Sequence, residues 1–460
     1  MKVRILIALL ISSTVAFGAD KLSAPELIAL THGSPDKLQQ ALVATLGQDM
    51  IHDGRAVIGR GPDFLWAVES ATQPILMIDE ERGPAMKKIA KTDIWYAVGT
   101  LRVGTGHEFE YRIDGKSFGG SKDVPAYGPE SYLKPGVPPG MLSEKLVHTS
   151  KAYGGMESNY WIYVPAEYDP KTPAALMVFQ DGQQAGYTQR DTEGVIINVL
   201  DNLIFEKKIP VMIAVFIQPG LVSEGTEIYK ELEETIRNAP PNYTRPPAPV
   251  PGAPPRPDRG PRAPQNMIRS VEYDTVSDRY AKFLRDEFLP EVVYSKYNVR
   301  RDGYSRGISG SSSGGICSFN VAWQQPDQFT RVLSWIGSFM PIQVVPNYGG
   351  QAFPAMVARD AGRNIRVWLQ DGAEDQITWP LQSLDMANSL KGRGYDFHFS
   401  YGYGTHNAAQ GRAELPQSLT WLWRGYDPAK AEQVYEQDPA EAAKPLFRVK
   451  VYNRDHGPEY

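Results

Sequence analysis

Hydrophobic and polar positions are patterned in two different ways along this chain, and the change divides it. Between Arg60 and Asp114, short apolar runs stand apart from one another: Leu65-Trp66-Ala67-Val68, Ile75-Leu76-Met77-Ile78 and Ile94-Trp95-Tyr96-Ala97-Val98, each bounded by polar, Gly or Pro residues. Phe109, Tyr111 and Ile113 then alternate with Glu110 and Arg112, and Asp114-Gly115 closes the run as a turn signal. Short strands at this spacing predict a small all-β sandwich over residues 60–125. Residues 19–59 precede it with two stretches of helical composition, around Leu27 and Leu42. Residues 126–141, rich in Pro and Gly, read as a linker.

From residue 142 the apolar runs become continuous. Tyr160–Val164, Leu176–Phe179 and Val211–Phe216 suit strands of a sheet covered on both faces. Further strands are expected at Val332–Ile336, Ile365–Leu369 and Phe397–Tyr401. Val276, Tyr280, Phe283 and Leu284 fall at helical spacing, and Pro290 is expected to end that helix. Strands alternating with helices predict an α/β domain over 142–426, with a doubly wound, mainly parallel sheet. Pro240–Pro264, dominated by proline, reads as a long surface insertion within that domain, either a lid facing substrate or a loop with no catalytic part. Residues 427–460 form a C-terminal extension.

Composition changes the picture at three points. The chain has 460 residues, 42% hydrophobic and 22% charged, with a net charge of −5 and no long basic run, which argues against nucleic-acid binding. Lys2 and Arg4 precede an apolar run from Ile5 to Ile11 and small residues ending at Gly18, the order of a secretory signal peptide over residues 1–18. That run is too short to span a bilayer, so an exported protein, periplasmic or secreted and without stable membrane insertion, is expected. Cys317 is the single cysteine; an intramolecular disulfide is impossible, and its apolar neighbours indicate a buried structural thiol.

The strongest chemical signal is Gly310-Ser311-Ser312-Ser313-Gly314-Gly315. In the G-x-S-x-G elbow a serine sits on a tight strand-to-helix turn, and only Ser312 has glycines two residues to either side. A serine hydroxyl needs a base, and the base an orienting acid. In α/β-hydrolases both follow the serine, acid first. Of seven histidines, only His398, His406 and His456 lie beyond Ser312. His398 is inside an expected strand and His456 near the chain end, whereas His406 occupies a loop directly after a strand, which makes it the candidate base. Asp371, Glu374 and Asp375 follow the preceding strand; Asp371 suits a turn with Gly372, and Asp375 has the better reach, with Glu374 still open. An oxyanion hole needs two backbone N–H donors. Ser313, after the nucleophile, and Gln183, after an early strand, are the candidates. Asp181 has no His/Asp cluster near it, so no metal or cofactor is assigned.

These residues resemble a known family. Tyr273–Pro290, Gly310–Gly315, Ser334–Phe339, Leu369 through Asp375 and Gly404-Thr405-His406 are similar to the esterase D/enterochelin-esterase-like hydrolases, a group that includes feruloyl and acetyl-xylan esterases of carbohydrate esterase family 1. The similarity spans about Leu142 to Tyr426. It implies an α/β-hydrolase fold and a triad of elbow serine, Gly-x-x-Asp acid and Gly-x-His base, here Ser312, Asp375 and His406. Arg60–Lys122 resembles the immunoglobulin-like or carbohydrate-binding-like sandwich that often precedes such domains. The expected function is a serine carboxylic-ester hydrolase acting on feruloyl or acetyl esters of plant polysaccharide. Alternatives are a siderophore esterase or an acyltransferase of the same fold, and a non-catalytic exported carbohydrate-binding protein. Oligomeric state is not legible.

Overall fold

The computed structural model describes residues 21–184, 186–190, 195–231, 268–339, 349–376 and 378–443. The expected signal peptide, the Pro240–Pro264 insertion and His456 lie outside the described residues.

Three helices, Ala24–Leu30, Pro35–Leu46 and Gln48–His52, open the described chain. Eight strands follow: β1 (Ala56–Arg60), β2 (Asp63–Glu69), β3 (Ile75–Ile78), β4 (Glu81–Arg82), β5 (Lys87–Lys88), β6 (Ile94–Thr100), β7 (Thr105–Ile113) and β8 (Lys116–Ala126). They form two four-stranded antiparallel sheets, ordered β1-β2-β6-β5 and β4-β3-β7-β8. The two-residue period of β2 explains why it is buried on both faces. Phe64, Trp66 and Val68 pack with Leu76, Ile78, Phe109 and Tyr111 between the sheets. Leu65 and Ala67 point the other way, against Leu27, Leu38, Leu42 and Ile51 of the helices. The first strand begins at Ala56, four residues inside the segment expected to be helical. Its Ala-Val-Ile-Gly-Arg stretch carries too little alternation to reveal a strand, and pairing with β2 defines it.

Residues 127–140 connect the two halves and are fastened down as they pass. Asn202 Nδ2 donates to the carbonyls of Glu130 and Tyr132, and Gly140 N–H donates to Asp201 Oδ1 at 2.7 Å. Asp201 and Asn202 both belong to the helix Ile196–Phe205.

The second half is built on nine strands: β9 (Met141–Leu142), β10 (Leu146–Ser150), β11 (Met156–Val164), β12 (Ala175–Gln180), β13 (Met212–Ile217), β14 (Arg306–Ser311), β15 (Arg331–Trp335), β16 (Arg366–Gly372) and β17 (Asp396–Gly402). Their order is β10-β11-β13-β12-β14-β15-β16-β17, with β9 beside β11. Pairing is parallel from β13 to β17 and antiparallel where β9, β10 and β11 form the other end. This is an α/β-hydrolase-like fold with a mixed sheet. The antiparallel end escapes a sequence reading because Leu146-Val147-His148-Thr149-Ser150 is half polar and lies at an edge.

Alternation again assigns the faces. Leu176 and Val178 of β12 join one core with Phe283, Phe288, Phe319 and Trp323; Met177 and Phe179 join the other with Leu200, Leu203 and Leu419. The helix expected to stop before Pro290 continues to Tyr294. It does so in wide turns over Leu284–Phe288 and Pro290–Tyr294, which loosen the regular ladder that a proline would otherwise break. The C-terminal extension packs at the opposite edge from the loops described below. Tyr435 lies over the Arg331 and Arg366 guanidinium groups at the starts of β15 and β16, and Glu441 Oε1 meets His398 Nδ1 at 3.0 Å. Among the described residues no helix is long and apolar enough to cross a membrane.

Candidate active site

Parallel strands deliver their following loops to one edge, and four strands do so here. Asp181–Gln183 follow β12, Ser312 follows β14, Asp375 follows β16 and His406 follows β17.

Ser312 sits between β14 and the helix Ser313–Gln324 with φ 58° and ψ −122°, a conformation an L-residue adopts only when its surroundings enforce it. Backbone contacts enforce it. Its N–H donates to Trp335 O at 3.0 Å, and its carbonyl accepts from Gly315 at 2.9 Å and Ile316 at 3.2 Å. Gly310 permits the turn: a Cβ there would lie 2.5 Å from the Gly314 carbonyl carbon and oxygen. The hydroxyl is thereby held at the mouth of the helix, clear of the sheet.

His406 Nε2 lies 2.8 Å from Ser312 Oγ, and its Nδ1 lies 2.9 Å from each carboxylate oxygen of Asp375. The Asp375 side chain is fully buried, so its charge is directed at the imidazole with little screening by water. A hydroxyl, imidazole and carboxylate in this chain can pass the serine proton to Nε2 while the acid holds the ring's tautomer and orientation. Glu374, one residue earlier, points elsewhere. Its carboxylate is half-exposed and 4.0 Å from Lys122 Nζ. Asp371 accepts the Gly372 N–H at 2.8 Å, in keeping with its position at the turn. Burial, and then the Asp375 carboxylate beside it, push Asp371 well above the usual carboxylate range.

The candidate oxyanion donors sit on either side of the elbow. Ser313 is the first residue of its helix and so has no intrahelical acceptor for its N–H. In the loop after β12, Gly182 donates to Ile217 O and Gln184 to Asp181 O, which leaves Gln183 N–H with no backbone acceptor among the described residues. Asp181 holds this loop in place. Its carboxylate takes two bonds from Arg269, Nε at 2.8 Å and Nη2 at 2.7 Å, and the same guanidinium reaches Ser311 O at 3.2 Å. Asp181 is thus paired with a cation of the protein itself. Cys317 is fully buried, and burial pushes its thiol well above the ordinary range. His398 is in β17, its ring 4.0 Å from that of Trp368.

Three residues at the site carry no signal in the sequence that would single them out. Ser338 Oγ is 3.1 Å from Ser312 Oγ, and Ser338 N–H reaches Ser312 O at 3.3 Å. It belongs to the Ser334–Phe339 stretch that bears the family resemblance, but a serine outside a motif has no mark of its own. Trp379 stands edge-on to His406, with ring centroids 4.0 Å apart. Its position four residues after Asp375 is the available hint. Arg269 follows the Pro-rich segment, and nothing in its spacing links it to Asp181.

Residues 258–422 match the Esterase family model. No curated protein matches the sequence. The enterobactin esterase of Shigella flexneri, solved in the presence of enterobactin, is similar at 14% identity, over 79% of this chain and 93% of that one, with a TM-score of 0.50. A ferulic acid esterase of carbohydrate esterase family 1 from Anaeromyces mucronatus is similar at 16% identity, over 64% of this chain and 96% of that one, with a TM-score of 0.43.

Proposed function

From a chain whose residues 258–422 carry the esterase domain, we propose a serine carboxylic-ester hydrolase that works through an acyl-enzyme on Ser312. The single observation that carries this reading is the continuous contact from Ser312 Oγ through His406 to Asp375, at 2.8 and 2.9 Å. His406 Nε2 takes the hydroxyl proton as Ser312 Oγ bonds to the ester carbon. The resulting oxyanion is met by the N–H groups of Ser313 and Gln183, worth roughly 3 kcal/mol of barrier each. The imidazolium then protonates the departing alkoxide, and the acyl group stays on Ser312. Water enters, gives a proton to Nε2 and attacks the acyl carbon; collapse returns the proton to Ser312 and releases the carboxylic acid.

The substrate reading is a feruloyl or acetyl ester of plant polysaccharide, met outside the cytoplasm. The order of charged, apolar and small residues in the first eighteen positions supports export. The β-domain before the catalytic one, read as immunoglobulin-like or carbohydrate-binding-like, fits a polymeric substrate. A second reading is a catecholate siderophore ester, favoured by a specific observation: the fold likeness to the enterobactin esterase covers 79% of this chain, reaching beyond the catalytic domain.

One panel on one purified sample separates them: methyl ferulate, an aryl acetate, an acetylated xylan oligomer and enterobactin, each with wild type and Ser312→Ala. Turnover by wild type that Ser312→Ala abolishes supports the mechanism, and the preferred ester assigns the substrate. Undiminished turnover by Ser312→Ala refutes it.

A further inference from the structure

The β-domain reaches into the site. Asp123, on β8, accepts two hydrogen bonds from a single residue of the catalytic domain: Thr405 N–H to Oδ1 at 2.8 Å and Thr405 Oγ1–H to Oδ2 at 2.5 Å. Thr405 is the residue directly before His406. Beside Asp123, Lys122 is bonded to the Glu108 carboxylate and lies 4.0 Å from Glu374 Oε1, directly before Asp375. On β7, Gly106 lies against Gln410 of the helix Ala409–Ala413, which follows His406. The His406 segment is therefore held on both sides by the sandwich, while Glu374 N–H, donating to Gly404 O at 3.2 Å, ties it to the acid loop.

We infer that Asp123 is a positioning residue for His406, so that the N-terminal β-domain completes the catalytic site of its neighbour. The inference rests on the Ser312 mechanism proposed for this site. A loop residue is set by its backbone torsions, and the chain enters His406 directly from Thr405. Two bonds to one carboxylate fix Thr405 against rotation as well as translation, because its N–H and its Oγ1–H are anchored to separate oxygens, and the start of the His406 peptide is set with it. Displacing a catalytic group by 1 Å costs about 100-fold in rate, so a hold on the adjacent residue is felt at Nε2. Alanine at 123 removes both acceptors. Asparagine keeps one oxygen and replaces the other with an amide that cannot accept from Thr405.

The test uses the full chain as Asp123→Ala, Asp123→Asn, Thr405→Val and the Asp123→Ala/Thr405→Val pair. For each, kcat and KM on p-nitrophenyl acetate, the rate of Ser312 labelling by a fluorophosphonate and the thermal midpoint are measured. Asp123→Ala is expected to lower both kcat and the labelling rate by about 10- to 100-fold with KM within about threefold, and Asp123→Asn to fall between it and wild type. Thr405→Val, which loses only the hydroxyl bond, should add nothing further in the Asp123→Ala background, since both act through one contact. Rates of both Asp123 variants within about threefold of wild type would overturn the inference, as would effects of Asp123→Ala and Thr405→Val that multiply. Should Asp123→Ala unfold, the rates of Asp123→Asn decide between the same two outcomes. An inactive, unlabelled wild type overturns the Ser312 mechanism and this inference together. An active wild type that Ser312→Ala silences, with Asp123 variants unimpaired, overturns this inference alone.

Discussion

Replacing Gly372 with alanine forces apart the two loops that carry the acid and the base. Gly372 ends β16 opposite Gly402 of β17, and its Cα faces the backbone of Gly404. A Cβ at 372 would lie 1.9 Å from Gly404 O, 2.5 Å from its carbonyl carbon and 2.8 Å from its Cα. Since ordinary contact begins at 3.4 Å, one loop must retreat by about 1.5 Å, and backbone cannot rotate aside as a side chain would. The His406–Asp375 contact is 2.9 Å long, so a retreat of that size along it exceeds hydrogen-bonding range. Misplacement by about 1 Å costs some 100-fold and loss of the oriented acid about 10⁴-fold, so kcat should fall between those limits, about 3 to 5 kcal/mol of barrier. Gly372 is not among the glycines of positive φ, so alanine is not strained by its own torsions. At such a site the substitution ordinarily stabilises by about 0.4–1 kcal/mol, which makes the sign diagnostic. Steady-state hydrolysis of p-nitrophenyl acetate, with a thermal melt beside it, reads both effects. A variant with kcat within about threefold of wild type would refute the close-approach argument.

Other substitutions address other parts of the structure. Asp375→Asn should lower kcat by about 10⁴-fold while Glu374→Gln stays within about threefold, measured on the same ester; the reverse ranking would reassign the acid. Glu272 accepts Gly220 N–H at 2.6 Å, and burial raises its pKa from 4.5 to about 8. A raised carboxyl pKa gives stability that is full below pH 4.5 and is lost as pH climbs through 8, by about 5 kcal/mol on the order-of-magnitude linkage relation. Glu272→Gln should therefore flatten the fall in urea midpoint between about pH 5 and pH 9, and an unchanged slope would contradict the assignment. Arg269→Met leaves the Asp181 carboxylate buried without its partner and should destabilise by about 3 kcal/mol, read from urea unfolding.

Legibility in the sequence followed physical cause. The central strands showed themselves because burial on both faces demands unbroken apolar runs, as in Leu176–Phe179 and Val211–Phe216. Strand β8 did not, since Gly119-Gly120 and Pro125 resemble loop punctuation and the strand is defined by its partner β7. Pro290 misled because wide helical turns remove the constraint that normally makes proline a terminator. At the site, Ser312 was marked by flanking glycines and His406 by elimination, both consequences of where a parallel sheet sends its loops. Arg269, Ser338 and Asp123 were illegible. Each acts through contacts with residues distant along the chain, and no local periodicity encodes a partner 26, 88 or 282 residues away.

The most direct measurement treats the purified chain with a fluorophosphonate and locates the adduct by peptide mass. A single adduct on the peptide containing Ser312 is expected, absent in Ser312→Ala and formed far more slowly in His406→Ala. An adduct on another residue, or a folded wild type that takes up no label, would contradict the assignment of Ser312 as the nucleophile.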